Sequence, residues 1–467
     1  MEKKFCVTTP IYYVNDKPHI GHAYTSVAAD VLARFHKLQG EKTFLLMGAD
    51  EHGLKIQKKA EEAGKEPQKF VDDISSEFKN LWDKLNIQCN GFIRTTDEKH
   101  KKAVQKVLQA LYEKGAIYRG FYEGLYCVGC EQFKSENELV NGRCPDHDTV
   151  LETVKEECYL LKMADLQDEL VEKIENGEFQ IKPGRYKKEI LSFLKKEKLK
   201  DVSISRKNVK WGIPLPFDAE HTTYVWFDAF LSYLTGLGWE GDQNNVPENW
   251  PADIQLIGKD ILRVHATIWP VMLMHLGIEF PKQLYVHGHL LSGGRKMSKT
   301  IGNVIGIDGM LEKFGVDGTR YLLMSAGTFG EDIDVTMERL TEKYNADLAN
   351  GLGNLVSRIV KLMPEGQFFE RGADQSRALI AVEDMNLSGA LSEIWKNVRE
   401  DDKFVEENKP WELQKNDEKK FQEVMQKLVS DLFLISDLLV PSMPETSEKI
   451  KQALETKEMV NLFPRIR

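Results

Sequence analysis

Two histidines one helical turn apart, His19 and His22, stand where the apolar run Phe5–Thr9 gives way to an amphipathic stretch. A helix start presents unpaired N–H groups and partial positive charge, so it attracts phosphate, and two imidazoles on one face add donors. Gly21 between them lets a flat ring approach the backbone closely. About 275 residues later, Ser292-Gly293-Gly294-Arg295-Lys296-Met297-Ser298-Lys299-Thr300 forms a glycine-containing loop with two lysines three apart. Compact ammonium groups on such a loop can close on a triphosphate as it loses pyrophosphate. Taken singly, each feature has a plainer reading, a helix cap or an exposed basic loop. Together and in this order they predict a site that handles a nucleoside triphosphate.

A second cluster has the chemistry of a metal site. Cys127-x-x-Cys130 and Cys144-x-x-His147 form two close ligand pairs with thirteen residues between them. Sulfur and imidazole at this spacing suit tetrahedral Zn2+, and four protein ligands leave no open position, which makes the ion structural. The plainer reading is a set of reduced core cysteines. Cys158 is a spare ligand should His147 not serve. Six cysteines in 467 residues are too sparse for a disulfide scaffold.

The elements that must position these groups follow from periodicity. Strand-like runs at Phe5–Thr9, Thr43–Gly48 and Gly91–Thr95 alternate with helices at about His22–Leu38, Pro67–Leu85 and Glu98–Lys114. This is the β-α-β rhythm of a parallel sheet. From about Arg119 the sequence turns aromatic, glycine-rich and cysteine-containing, and the rhythm is expected to return with strands at Thr223–Trp226, Ile254–Gly258 and Gln283–His287. After Gly318 helical stripes dominate, such as Leu348, Leu352, Leu355 and Ile359, and later Phe421, Met425, Leu428 and Leu432. They predict a helical bundle.

Hydrophobic residues at 42% and charged residues at 29% are ordinary for a globular chain, and no run of about 18 apolar residues suggests a membrane span. The opening residues pass directly into a strand without a leader pattern, so a cytoplasmic location is expected. A net charge of −10 weighs against a nucleic-acid partner only weakly, because binding depends on local patches. Residues 181–210 hold eleven Lys or Arg against three Asp or Glu.

The two nucleotide-handling segments resemble the HIGH and KMSKS signatures of class I aminoacyl-tRNA synthetases, with Thr300 keeping the hydroxyl of the usual final serine. The likeness extends over nearly the whole chain to methionyl-tRNA synthetases, through Val7–His22, Gly48–Gly53, Asp201–Arg206, Trp211-Gly212-Ile213-Pro214, Tyr224–Ala229 and Ile257–His265. The resemblance implies a Rossmann-like α/β parallel sheet split by a zinc-containing connective insertion and followed by a C-terminal α-helical anticodon-binding bundle. It divides the chain into a first catalytic half (1–118), the insertion (119–222), a second catalytic half (223–291), the KMSKS loop and stem-contact region (292–345) and the helical domain (346–467).

Position by position, it implies catalytic roles for His19, His22, Lys296 and Lys299, which stabilise phosphate charge as the amino-acid carboxylate attacks. ATP, with Mg2+, would be held by Tyr12, Asn15, His19, Gly21, His22, Gly258, Asp260 and Lys299. L-methionine would lie among Ile11, Tyr13, Trp226, Ala229, Tyr233, Ile261 and His265, with Asp50 facing its ammonium. A thioether packs well against such aromatic edges. Phe230 departs from the proline of some members. Asn354, Arg358 and Trp411 would read the anticodon of tRNA(Met), an indole stacking on an unpaired base. Family members carry one or two zinc knuckles, and this sequence has residues for one.

Three other readings stay open on residues alone. One is a class I synthetase for leucine, isoleucine, valine or cysteine; another is a HIGH-type nucleotidylyltransferase; the third is a non-catalytic RNA-binding relative. The chain stops soon after the bundle, without an appended dimerisation module, so a monomer is expected.

Overall fold

The computed structural model describes residues 3–127, 132–134, 139–145, 148–207, 209–297, 304–363, 382 and 384–467. Its centre is a six-stranded sheet. In spatial order the strands are Gly91–Arg94, Lys42–Asp50, Lys4–Tyr13, Ile254–Gly258, Gln283–His287 and Gln180–Lys182, and each neighbouring pair runs parallel. Chain order reverses between Lys4–Tyr13 and Ile254–Gly258. In open α/β sheets the crevice at such a reversal, beyond the carboxyl ends of the strands, is where ligands bind.

Helix Ile20–Leu38 follows the first strand and buries Val27, Val31, Leu32 and Phe35, as the stripe Val27, Val31, Leu32, Phe35 and Leu38 predicts, whereas Leu38 at the helix end is exposed. Helix Pro67–Lys84 starts with proline at its first position, where a missing N–H costs nothing. Its Phe78 and Trp82 close one side of the core.

Two features depart from the sequence reading. Thr222 and Thr223 pair antiparallel with Arg206 and Ser205 in a separate small sheet, and Val225–Thr235 is a helix, so no parallel strand forms at Thr223–Trp226. A short apolar run does not distinguish a buried strand from a buried helix, and this run goes on, almost all buried, to Thr235. Conversely, Gln180–Lys182 enters the parallel sheet as its outer strand beside Gln283–His287. Three residues with a single apolar side chain carry too little pattern to predict it.

Beyond the sheet, an antiparallel hairpin of Ile117–Cys127 and Glu152–Leu161 projects the cysteine-bearing segment. The C-terminal region is helical, through Asn354–Leu362, Leu387–Asn408, Glu418–Leu439 and Pro444–Thr456. Leu348, Leu352, Leu355 and Ile359 are fully buried there, as are Met425, Leu428 and Leu432. Among the described residues no helix is long and apolar enough to cross a membrane.

Candidate nucleotide and amino-acid site

The two histidines build their own helix cap. The Nδ1 of His19 accepts from the Gly21 N–H at 3.1 Å, and the Nδ1 of His22 accepts from the His19 N–H at 3.1 Å. Their rings stack with centroids 3.8 Å apart. An imidazole whose Nδ1 accepts must, when neutral, carry its proton on Nε2. Burial and the neighbouring His19 lower the pKa of His22 well below its usual value, so its ring stays neutral. The cap therefore fixes the tautomer and leaves Nε2–H as the ring's donor at the positive end of a helix.

Tyr12 lies beneath this pair. Its ring meets that of His22 edge-on at 4.9 Å and stacks on Phe78 and Trp82, and its hydroxyl is 2.8 Å from the Ser26 hydroxyl. It supports His22 from the core. Asn15, with its amide oriented to satisfy both partners, donates to the Tyr13 carbonyl and accepts from Lys55, each at 3.0 Å.

The other side of the crevice comes from the next two strands. A Cβ at Gly258 would fall 2.6 Å from Asp260 Oδ1, so glycine is what lets that carboxylate fold back over the strand end. Asp260 lies 3.7 Å from His289. His287, at the end of the neighbouring strand, is 2.7 Å from the Thr25 hydroxyl, which in turn bonds the Gly21 carbonyl. The histidine-capped helix and the strand leading to the lysine loop are thus tied at one end of the sheet. Leu290–Ser292 and Arg295–Lys296 form the hairpin, turned by Gly293 and Gly294 in the left-handed region. Lys296 pairs through its backbone with Leu291, and Lys299 falls outside the described residues.

Beside this crevice lies an aromatic pocket. Trp226, Ala229 and Tyr233 share one face of helix Val225–Thr235, and Trp226 meets His265 edge-on at 6.0 Å. His265 Nδ1–H donates to the Ile261 carbonyl at 2.9 Å, which leaves Nε2 to accept from the Tyr233 hydroxyl at 2.9 Å. Phe230 packs between His265 and Trp269. Across the pocket, Ile11 pairs with Gly48 and Tyr13 with Asp50, which is buried at its strand's end. A Cβ at Gly48 would lie 2.5 Å from the Ile93 carbonyl and 2.8 Å from the Ile11 side chain. Of the residues expected around methionine, Trp226, Tyr233, Ile261 and His265 are thus joined by direct contacts, and Ile11, Tyr13 and Asp50 share a pair of adjacent strands.

Burial lowers the pKa of His265 from 6.5 to about 4. Between those values the unfolded chain binds a proton that the folded ring refuses, so the stability is fully present above pH 6.5 and drains away toward pH 4. The loss is on the order of 3 kcal/mol. Urea unfolding followed from pH 7 to 4.5 should show a shallower acid limb for His265→Asn; an unchanged limb would assign the titration elsewhere.

One buried cluster was not anticipated. Asp228 places one carboxylate oxygen 2.6 Å from His52 Nδ1 and the other 2.6 Å from His100 Nε2, and His100 Nδ1 is 2.7 Å from the Thr235 hydroxyl. The available signal was a lone carboxylate inside the apolar run Val225–Leu234.

In the projecting hairpin, Cys127 and Cys144 are buried together with Leu151 in a cluster separate from the main cores. Cys130 and His147 fall outside the described residues, and among the described residues no three metal-ligating side chains converge. Three buried side chains give a loop little apolar hold, and two sulfurs in one such cluster fit half of a tetrahedral site. Cys158 is corrected as a spare ligand: it pairs with Gly120, seven residues along the strand from Cys127, about 23 Å at strand rise.

In the bundle, the Arg358 guanidinium lies 5.7 Å from the Trp411 ring and pairs with Asp402 at 3.1 Å and Glu406 at 2.7 Å. Asn354 is exposed one turn earlier on the same helix.

Comparison with known proteins agrees with this geometry. The family model described as tRNA synthetases class I (M) matches residues 5–152 and 147–360. The methionine--tRNA ligase of Clostridium acetobutylicum is 42% identical over 99% of this chain and 76% of its own length, and that of Thermotoga maritima is 38% identical over 97% and 76%. The structure of Mycobacterium tuberculosis methionyl-tRNA synthetase in complex with methionyl-adenylate superposes with a TM-score of 0.90 at 33% identity, covering 99% of this chain and 97% of that one. Its apo form gives 0.84 at 29% identity, covering 100% and 99%. On identity over nearly the whole of this chain and on matching fold, the chain belongs to the class I methionine--tRNA ligases.

Proposed function

We propose that this protein activates L-methionine with ATP to methionyl-adenylate and transfers the methionyl group to tRNA(Met). The observation that carries the reading is the pair of self-capping histidines beside an aromatic pocket with a buried carboxylate at its rim. The neutral His22 Nε2–H, beside His19 at a helix N-terminus, suits an α-phosphate that gains charge as the methionine carboxylate attacks it and pyrophosphate departs. No protein nucleophile is required; positioning and charge stabilisation supply the acceleration.

In this reading His19, His22, Lys296 and Lys299 stabilise phosphate charge. Asn15, Gly21, Gly258, Asp260 and the Tyr12 main chain shape the ATP site, with Mg2+ accompanying the phosphates. Asp50 receives the substrate ammonium. Ile11, Tyr13, Trp226, Ala229, Tyr233, Ile261 and His265 surround the thioether, and the bonded Tyr233–His265 pair offers it polarizable edges rather than competing donors. Trp411, Arg358 and Asn354 form the anticodon-reading face, and the domain division given above is kept except at Gln180–Lys182, which lies within the proposed insertion but pairs with the catalytic sheet. Methionine-dependent ATP–pyrophosphate exchange, run against all twenty amino acids, tests the assignment. Exchange with a different amino acid would reassign the substrate, and no exchange would leave an RNA-binding relative.

Cys127, Cys130, Cys144 and His147 would hold one Zn2+, whose chemistry there is to cross-link the hairpin tip. Purified protein should contain one zinc per chain, and Cys144→Ser should lose it together with protease resistance confined to the hairpin. A metal content unchanged by that substitution would refute the ligand set.

A further inference from the structure

Helix Val225–Thr235 has a chemically divided circumference. At about 100° per residue, Trp226, Ala229, Phe230 and Tyr233 fall within one sector of about 100°, while Asp228 and Thr235 lie together on the opposite side. His100, from helix Glu98–Glu113, grips that opposite side at two points seven residues apart, through Nε2 to Asp228 and Nδ1 to Thr235. One rigid ring bonded two turns apart restricts rotation of the helix about its axis. The second Asp228 oxygen binds His52, two residues beyond Asp50, at the end of the strand that forms the other wall of the pocket.

We propose that Asp228, with His52 and His100, is a positioning device for amino-acid recognition, holding the aromatic wall at a set angle and distance from Asp50. This rests on the reading of the pocket as the methionine site. A carboxylate accepts both bonds, so the protons sit on His52 Nδ1 and His100 Nε2. Burial opposes the charge on Asp228, yet the two histidines hold its pKa below the usual carboxylate value. A buried charged cluster contributes less stability than apolar packing of the same volume often would, whereas its directional bonds define geometry. None of the three side chains belongs to the predicted substrate-binding set, so the effect on substrate passes through Trp226, Ala229 and Asp50.

The test compares His100→Ala, His100→Gln and Asp228→Asn in the full chain, by pyrophosphate exchange normalised to active sites from the adenylate burst. Glutamine can return an N–H near the ε position; alanine cannot. His100→Ala and Asp228→Asn should raise KM for methionine about tenfold, the scale of one charge-assisted hydrogen bond, and leave KM for ATP within about twofold. His100→Gln should recover most of that loss even if Asp228→Asn fails to fold. The clamp is refuted if the variants only lower the active fraction at unchanged KM, if both KM values rise together, or if Gln is no better than Ala. Absence of methionine-dependent exchange in the unmodified protein would instead overturn the underlying reading of the pocket.

Discussion

His22→Asn is expected to stay folded and to lose methionine activation by about 10²–10³-fold, the cost of removing one preorganised donor from the developing phosphate charge. The asparagine side-chain oxygen can stand near the position of Nδ1 and keep the bond from the His19 N–H, which His22 makes at 3.1 Å. It has no donor where Nε2 was. His22→Gln reverses the exchange: its amide reaches toward the ε position but gives up the cap, at about 0.5–2 kcal/mol of stability. Glutamine should therefore be the less stable and the more active of the two. Exchange kinetics and urea unfolding on both proteins decide it. If activity instead follows stability, the histidines serve as a cap and no more.

The second large effect lies far from substrate. Arg320 is completely buried and bonds Asp30 Oδ2 at 2.6 Å, the Ser442 and Pro441 carbonyls at 2.9 and 3.0 Å, and the Leu85 carbonyl at 3.1 Å. Asp30 is on the helix that begins with the capping histidines, and Pro441–Ser442 joins the last two long helices. Without Arg320, Asp30 keeps Arg34 at 2.8 Å but loses its second cationic partner, and three buried carbonyls lose the Arg320 donor, together about 3–5 kcal/mol. Arg320→Met should show that loss in the denaturation midpoint. Asp30→Asn should cost less, because an amide oxygen can still accept from Arg320. In the double variant the losses should fall short of their sum, as expected for groups in contact. A loss below about 1 kcal/mol for Arg320→Met would mean that water replaces the guanidinium and the junction is not held there.

Much of the site was readable in the chain because its devices are local. A histidine cap needs only residues 19–22, and the helical stripes of residues 348–359 and 421–432 are periodicities that any sufficiently long window contains. The aromatic residues and Asp50 were assigned through resemblance, and the structure joins Trp226, Tyr233 and His265 by direct contacts and sets Asp50 opposite Tyr13. Residues isolated from their partners were not readable. His52, His100 and Asp228 are up to 176 positions apart, and each alone looks like an ordinary polar residue. Cys158 looked usable as a ligand until hairpin register set it opposite Gly120.

The sequence by itself determined the strand–helix rhythm, the start of the histidine-bearing helix and the helical character of the C-terminal part, because hydrogen bonds and apolar spacing within a few residues suffice for each. Only the tertiary structure decided that Gln180–Lys182 completes the parallel sheet, that Val225–Thr235 is a helix, and that Arg320 joins the histidine-capped helix to the bundle. Those outcomes depend on buried polar groups finding partners across long stretches of chain, and the requirement for such a partner leaves no mark in local sequence.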